Sequence, residues 1–180
     1  AMKHAIGPRK EMRVRTLFNL LGPLTNPAGA PNQVLGVFSK QWVEPLARVL
    51  QQLGSEHVLE VHAEDGLDEI SIGSPTHVAE LHNGKISLYS VGPADFGMKM
   101  ADLSAISVAD AAASLHMINA VFDGEPGAAH DIVAMNGGAA IYAAGLVDTL
   151  AAGVELAAEI IRTGKAKQTL QALVEVSNSL

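Results

Sequence analysis

The sequence predicts an α/β fold: a central sheet flanked by helices, with a helical C-terminal third. Three observations point there. Short aliphatic runs bounded by turn residues alternate with helical segments up to about residue 104. The last third is Ala-rich and reads as consecutive helices. The chain is 48% hydrophobic but only 4% aromatic and 17% charged, so it has ample aliphatic material for a core and too little charge for disorder. With 180 residues, one domain is expected.

The elements follow in order. Gly22–Pro31 is Pro- and Gly-rich, and within it Gly22–Pro27 reads as a rigid turn between a helix and the first strand; it is no phosphate-binding P-loop, because the Lys-Ser/Thr pair is absent. Val34–Phe38 is the first strand. Ser39 offers a cap for a helix to Leu53, which Gly54 ends, with Pro45 as a cost near its start. Val58–Val61 is the next strand, and this β–α–β order implies parallel pairing. A short Ile70–Ile72 strand is expected within the loop-rich stretch 62–76. Val78–Leu81 and Ile86–Tyr89 flank Asn83-Gly84, a hairpin signal. Ser107 is expected to cap a helix ending near Phe122, where Gly124-Glu125-Pro126-Gly127 breaks it. Helices over 128–145, 148–163 and 165–178 complete the chain, with Asp148 capping the second and Gly164 separating it from the last.

Composition excludes several functions. The net charge is −7, from 12 basic and 19 acidic residues, which argues against broad nucleic-acid or anionic-membrane binding. Without cysteine there is no disulfide framework and no thiolate metal site, which fits a reducing compartment. The Ala-rich stretch 132–147 is too short to span a bilayer and contains Asn136 and three Gly. No signal-peptide pattern is present at the N-terminus.

The charge is unevenly placed. Residues 1–20 hold Lys3, Arg9, Lys10, Arg13 and Arg15 against Glu11 alone. Residues 56–69 hold six acidic residues and no Lys or Arg. In the acidic stretch, Asp68 and Glu69 offer hard oxygen ligands in a loop after a predicted strand, the usual ligand position in open α/β sheets. Spacing alone favours a solvated acidic turn over a metal site, and the pattern is too short for an EF-hand. In the basic stretch an arginine fork suits a carboxylate. Any one of these cations reads first as solvated, but the segment runs into apolar Leu17–Leu21, which must pack. Asn136-Gly137-Gly138 reads as close helix packing rather than a ligand site. The seven histidines show no metal-ligand spacing, and His57 and His62 fall on opposite faces of their strand. GxSxG is absent.

Met2-Lys3-His4, Arg9-Lys10-Glu11, the run Arg15 to Pro27 (RTLFNLLGPLTNP) and Asp65-Gly66-Leu67-Asp68-Glu69-Ile70-Ser71, in this order, strongly resemble anthranilate phosphoribosyltransferases. Asp131–Tyr142 and Gly164-Lys165-Ala166 also resemble that family's C-terminal helices, so the resemblance covers essentially the whole chain. It implies part of the large α/β domain of the nucleoside phosphorylase/phosphoribosyltransferase-type fold. It also implies transfer of phosphoribose from phosphoribosyl pyrophosphate to anthranilate in tryptophan biosynthesis. Arg9 matches the arginine that binds anthranilate; Asp68 and Glu69 match the acidic pair that binds Mg²⁺. No catalytic base is assigned.

The family's N-terminal helical domain and its Gly-rich phosphate loop have no counterpart here, since no Gly-Thr-Gly-Gly-Asp occurs. Residues 1–180 are therefore expected to form a single partial catalytic domain, with 1–25 as a helical hinge segment. The piece alone is expected to be inactive, and the resemblance implies a cytoplasmic homodimer formed through the absent domain. A non-enzymatic nucleic-acid-binding homologue is disfavoured because residues beyond 20 net −11 (7 basic, 18 acidic). A pyrimidine nucleoside phosphorylase relative is disfavoured by Arg9 in its motif and by the acidic loop.

Overall fold

A computed structural model describes residues 21–22 and 24–179. The chain divides into two units, Ala1–Ala30 and Pro31–Leu180. Within the first, the described residues end a helical turn. The Thr25 hydroxyl donates to the Leu21 carbonyl at 2.9 Å, and Asn26 Oδ1 accepts from the Ala28 amide at 3.0 Å. Both are local side-chain bonds of the kind that stop helices and set turns.

The second unit is an α/β domain. Its strands are β1 (Asn32–Gly36), β2 (His57–Ala63), β3 (Thr76–His82) and β4 (Lys85–Val91). They form one sheet in the order β1-β2-β3-β4. β1 and β2 pair in parallel, Asn32 opposite His57, as the β–α–β order requires. β2–β3 and β3–β4 are antiparallel. Asn83 and Gly84 both adopt positive φ, 52° and 72°, which matches the strand twist in a two-residue hairpin.

Helix α1 (Val43–Gln52) joins β1 to β2. A short 3-10 turn, Lys40–Trp42, follows Ser39, whose side chain makes no cap bond. α1 starts late enough that Pro45 falls in its first turn, where an amide hydrogen is not needed. Gly54 takes φ 89° and ends it. Helices α2 (Ala111–Phe122), α3 (Ala128–Ala143), α4 (Leu150–Arg162) and α5 (Lys165–Ser179) form the C-terminal third.

Three further expectations need correction. Ile70–Ile72 is not a strand, although both isoleucines are fully buried. Their backbone bonds to side chains and loops instead of to a neighbouring strand. α2 is capped by Asp110, whose Oδ1 accepts from the Ala113 amide at 2.8 Å, and not by Ser107. α4 is capped by Thr149, whose Oγ1 accepts from the Ala152 amide at 3.1 Å, and not by Asp148. In both cases the cap is the residue whose oxygen reaches the third helical amide.

Alternation along the strands divides the core in two. Leu59, Val61 and Val78 pack with Met135, Ala139 and Ala143 of α3 and Val154 of α4. Their neighbours Val58, Ala79 and Leu81 are equally buried on the other face, where α1 contacts β2 and β3 with Val43, Leu46, Ala47 and Leu50. α3 and α4 meet backbone to backbone. A Cβ on Gly138 would lie 2.4 Å from the Val154 amide nitrogen, and one on Gly153 would lie 2.3 Å from the Gly138 carbonyl oxygen. Gly138 in the Asn136-Gly137-Gly138 run therefore serves close packing, as its small size suggests.

One core residue is out of keeping with the rest. Glu60, in the middle of β2, is 0% exposed, and neither carboxylate oxygen has a hydrogen-bond partner among the described residues. Burial pushes its pKa up from 4.5 to about 8. The folded protein thus keeps a proton that the unfolded chain loses between those values. Stability contributed by that proton is full below about pH 4.5, falls as pH rises, and is gone above about pH 8. Glu60→Leu should therefore stabilise the protein more at pH 9 than at pH 5, by a difference on the order of a few kcal/mol in urea denaturation. A stability difference that stays constant across that range would show that Glu60 does not titrate in this way.

Candidate functional site

The acidic loop follows β2 and runs from Glu64 to Pro75. Its first turn closes where the Gly66 amide donates to the Ala63 carbonyl at 3.0 Å, with Gly66 at φ 95°, a conformation that needs glycine. Asp65 works inside the loop: Oδ1 accepts from the Leu67 amide at 3.3 Å, and Oδ2 accepts from the Ser71 hydroxyl. The Ser71 hydroxyl oxygen also accepts from the Gly73 amide at 2.9 Å, and the Ser71 amide donates to Thr76 Oγ1 at 3.0 Å. Asp65 is thus spent on the loop's own geometry.

Two further contacts fix the loop to the domain. Asn136 of α3 behaves like a neighbouring strand: Oδ1 accepts from the Ile70 amide at 3.0 Å, and Nδ2 donates to the Ile70 carbonyl at 2.9 Å. Nδ2 also donates to the Ile132 carbonyl of its own helix at 2.9 Å, which fixes the orientation of the amide. On the other side the loop crosses the end of β1, where a Cβ on Gly36 would lie 1.8 Å from the Asp68 carbonyl oxygen. Only glycine permits that crossing.

Asp68 and Glu69 lie between these two anchors, at the carboxyl ends of the parallel pair β1–β2. Both are exposed, and neither carboxylate makes a hydrogen bond or ion pair with any described residue. Two adjacent free carboxylates on a fixed backbone suit Mg²⁺, which takes one or two such ligands and completes its shell with water and phosphate oxygen. Arg9, the candidate carboxylate-binding residue, lies outside the described residues.

The structure also assembles a group that residue spacing did not reveal. His57 stands opposite His82 in the β2–β3 register, and Glu80 lies two residues from His82 on the same face. His57 Nε2 donates to Glu80 Oε1 at 2.9 Å, Tyr142 donates to the same oxygen at 2.7 Å, and Tyr89 donates to Oε2 at 2.9 Å. Burial pulls the Glu80 pKa upward, but the bonds from Tyr142, Tyr89 and His57 prevail and hold it below its ordinary value. The Tyr142 phenol is pushed up to about 12 by burial and by Glu80. The separation of 25 positions between His57 and His82 hides this group from any motif; only the β2–β3 strand register brings it together. His62 is separate, with Nδ1 donating to the Val37 carbonyl at 2.7 Å, in keeping with opposite faces for His57 and His62.

The sequence matches the model of the glycosyl transferase family, a/b domain, over residues 1–167. It is 64% identical over 179 residues to the anthranilate phosphoribosyltransferase of Thioalkalivibrio sulfidiphilus, covering 99% of this chain and 53% of that protein. It is 63% identical over 177 residues to that of Methylococcus capsulatus, covering 98% and 52%. The fold is similar to the crystal structure of anthranilate phosphoribosyltransferase from Thermus thermophilus, with TM-score 0.88, 40% identity, and coverage of 97% of this chain and 51% of that one. It is also similar to the Saccharomyces cerevisiae enzyme in complex with PRPP and Mg, with TM-score 0.87 and 26% identity over 99% and 52%. The chain spans about half the length of the curated relatives it matches. Its α/β architecture and its match to that model together place this chain in the glycosyl transferase family, as an a/b domain.

Proposed function

We propose that this chain supplies the Mg²⁺- and anthranilate-binding half of an anthranilate phosphoribosyltransferase. The observation that carries the reading is the free, exposed pair Asp68–Glu69, anchored through Asn136 and Gly36 at the carboxyl ends of β1 and β2. The relatives' shared activity and the yeast structure with PRPP and Mg support it. Asp68 and Glu69 would hold Mg²⁺, which when bound would offset the charge of the departing pyrophosphate. Arg9 grips the anthranilate carboxylate through its fork and so aims the amine at the ribose carbon.

The aromatic amine is neutral at pH 7 and is already a nucleophile. A bond forms from its nitrogen to the ribose C1 as the bond from C1 to pyrophosphate oxygen breaks, through an oxocarbenium-like transition state. The nitrogen then releases its proton. Positioning and charge stabilisation carry this chemistry, with no general base assigned. The phosphate-binding loop comes from outside this chain, so the chain alone is inactive. The complete enzyme is a cytoplasmic homodimer. No helix among the described residues is long and apolar enough to cross a membrane.

In the full-length protein, Arg9→Ala should raise the KM for anthranilate about tenfold or more, since a charge-assisted pair is lost. Unchanged anthranilate kinetics would remove Arg9 from the site. Asp68→Ala with Glu69→Ala should lower kcat/KM about a hundredfold and raise the Mg²⁺ concentration at half-maximal rate. An unaltered Mg²⁺ titration would end the metal assignment. Gly36→Ala must push the Asp68 backbone away, so it should also raise the Mg²⁺ concentration at half-maximal rate while both carboxylates remain. Phosphorolysis of thymidine, with no phosphoribosylation of anthranilate, would replace this reading by a nucleoside phosphorylase.

A further inference from the structure

The cluster of His57, Glu80 and His82 lies at the opposite end of β2 from the acidic loop. Six further residues of β2 separate His57 from that loop, about 20 Å at the usual rise. Each side chain offers one ligand atom, and these atoms lie within 4.8 Å of one another. The geometry points to a second divalent-metal site at this end of the sheet, built for a zinc-like ion and distinct from the Mg²⁺ site.

The donor set supports this. Two imidazoles and one carboxylate suit Zn²⁺ and its transition-metal neighbours, whereas Mg²⁺ wants oxygen ligands throughout. The surroundings are those of a supported site. Tyr89 and Tyr142 donate to the Glu80 carboxylate and fix its plane, as outer hydrogen bonds orient the ligands of metal centres. The Tyr142 phenol belongs to α3, so the carboxylate is held from both the sheet and the helix layer. The His57 and Glu80 side chains are 7% and 12% exposed, while that of His82 is 47% exposed. The buried pair is held by hydrogen bonds, and the exposed histidine gives an ion a way in and leaves a fourth position for water.

Closing the site takes one side-chain movement. The His57 and His82 rings stack at 4.1 Å with planes 8° apart, so their nitrogens lie side by side instead of converging. A metal–nitrogen bond lies in the ring plane, so His82 must turn about its side-chain bonds, and its exposure leaves room to do so. His82 Nδ1 is already 3.9 Å from Glu80 Oε1. His57 must give up the Nε2 proton now bonded to Glu80; through solvent it returns to Nδ1, and the ion takes the place of the hydrogen bond. Two metal–nitrogen bonds of about 2.0–2.1 Å and one metal–oxygen bond of similar length then replace that contact.

The test is zinc titration calorimetry on the full-length protein in excess Mg²⁺. Wild type should bind one Zn²⁺ per chain by this site. His82→Gln and Glu80→Gln should each weaken it at least tenfold, and His116→Gln, a histidine away from the cluster, should not. Co²⁺ should give the strong visible absorption of a four-coordinate site, lost in His82→Gln. Since His82 lies at the strand end and is half exposed, its variant keeps the fold, which circular dichroism checks. No saturable Zn²⁺ binding in wild type, or equal binding in both cluster variants, overturns the proposal. Neither outcome bears on the Mg²⁺ reading, which the Asp68 and Glu69 variants test separately.

Discussion

The double hydrogen bond between Asn136 and Ile70 is the constraint on which the site depends. The loop between β2 and β3 cannot pair with a strand along Ile70–Ile72, yet it buries both isoleucines completely. Buried amides and carbonyls must find partners. Asn136 meets the requirement at Ile70, Thr76 at Ser71, and the Ala101 amide at the Ile72 carbonyl. The backbone beside Asp68 and Glu69 is fixed as a result. Asn136 is in turn placed by α3, and α3 by its glycine contact with α4. The position of the acidic pair thus rests on two glycines, Gly138 and Gly153, that are remote from it in sequence.

Glu60 and Glu80 show how partners decide the state of a buried carboxylate. Both sit in the central strands, on opposite faces of the sheet. Glu80 has three donors within 2.9 Å and stays ionised more readily than a free glutamate. Glu60 has none among the described residues, and burial alone drives it toward the neutral form. The cost of removing charge from water is similar in kind at both positions, and the hydrogen bonds reverse its outcome at Glu80.

What the sequence made legible was local. The β1–α1–β2 order, the Asn83-Gly84 hairpin and the final helices follow from periodicity and from turn residues within a few positions. The acidic pair was visible as chemistry, but its fixed placement was not, because Asn136 reaches it across 66 residues of sequence. Ile70–Ile72 looked like a strand because it is apolar and short; whether such a run pairs with a strand or with side chains is a tertiary matter. The helix caps at Asp110 and Thr149 were each misplaced onto a nearby residue of equally suitable type, Ser107 and Asp148. The His57–Glu80–His82 cluster depends on strand register, which no single-segment pattern encodes.

The glycine contact between α3 and α4 also bears on motion. Where two backbones touch, no side chain remains between them to change rotamer and let the helices slide. Loops on protein surfaces usually open by local fraying at low free-energy cost. Here the loop is hydrogen-bonded to α3 by Asn136, two positions before the contact at Gly138. Releasing the loop means either breaking both Asn136 bonds at once or shifting a locked helix pair. The amides of Ile70 and Ser71 should therefore exchange with solvent on the timescale of the core, although the carboxylates beside them face open water.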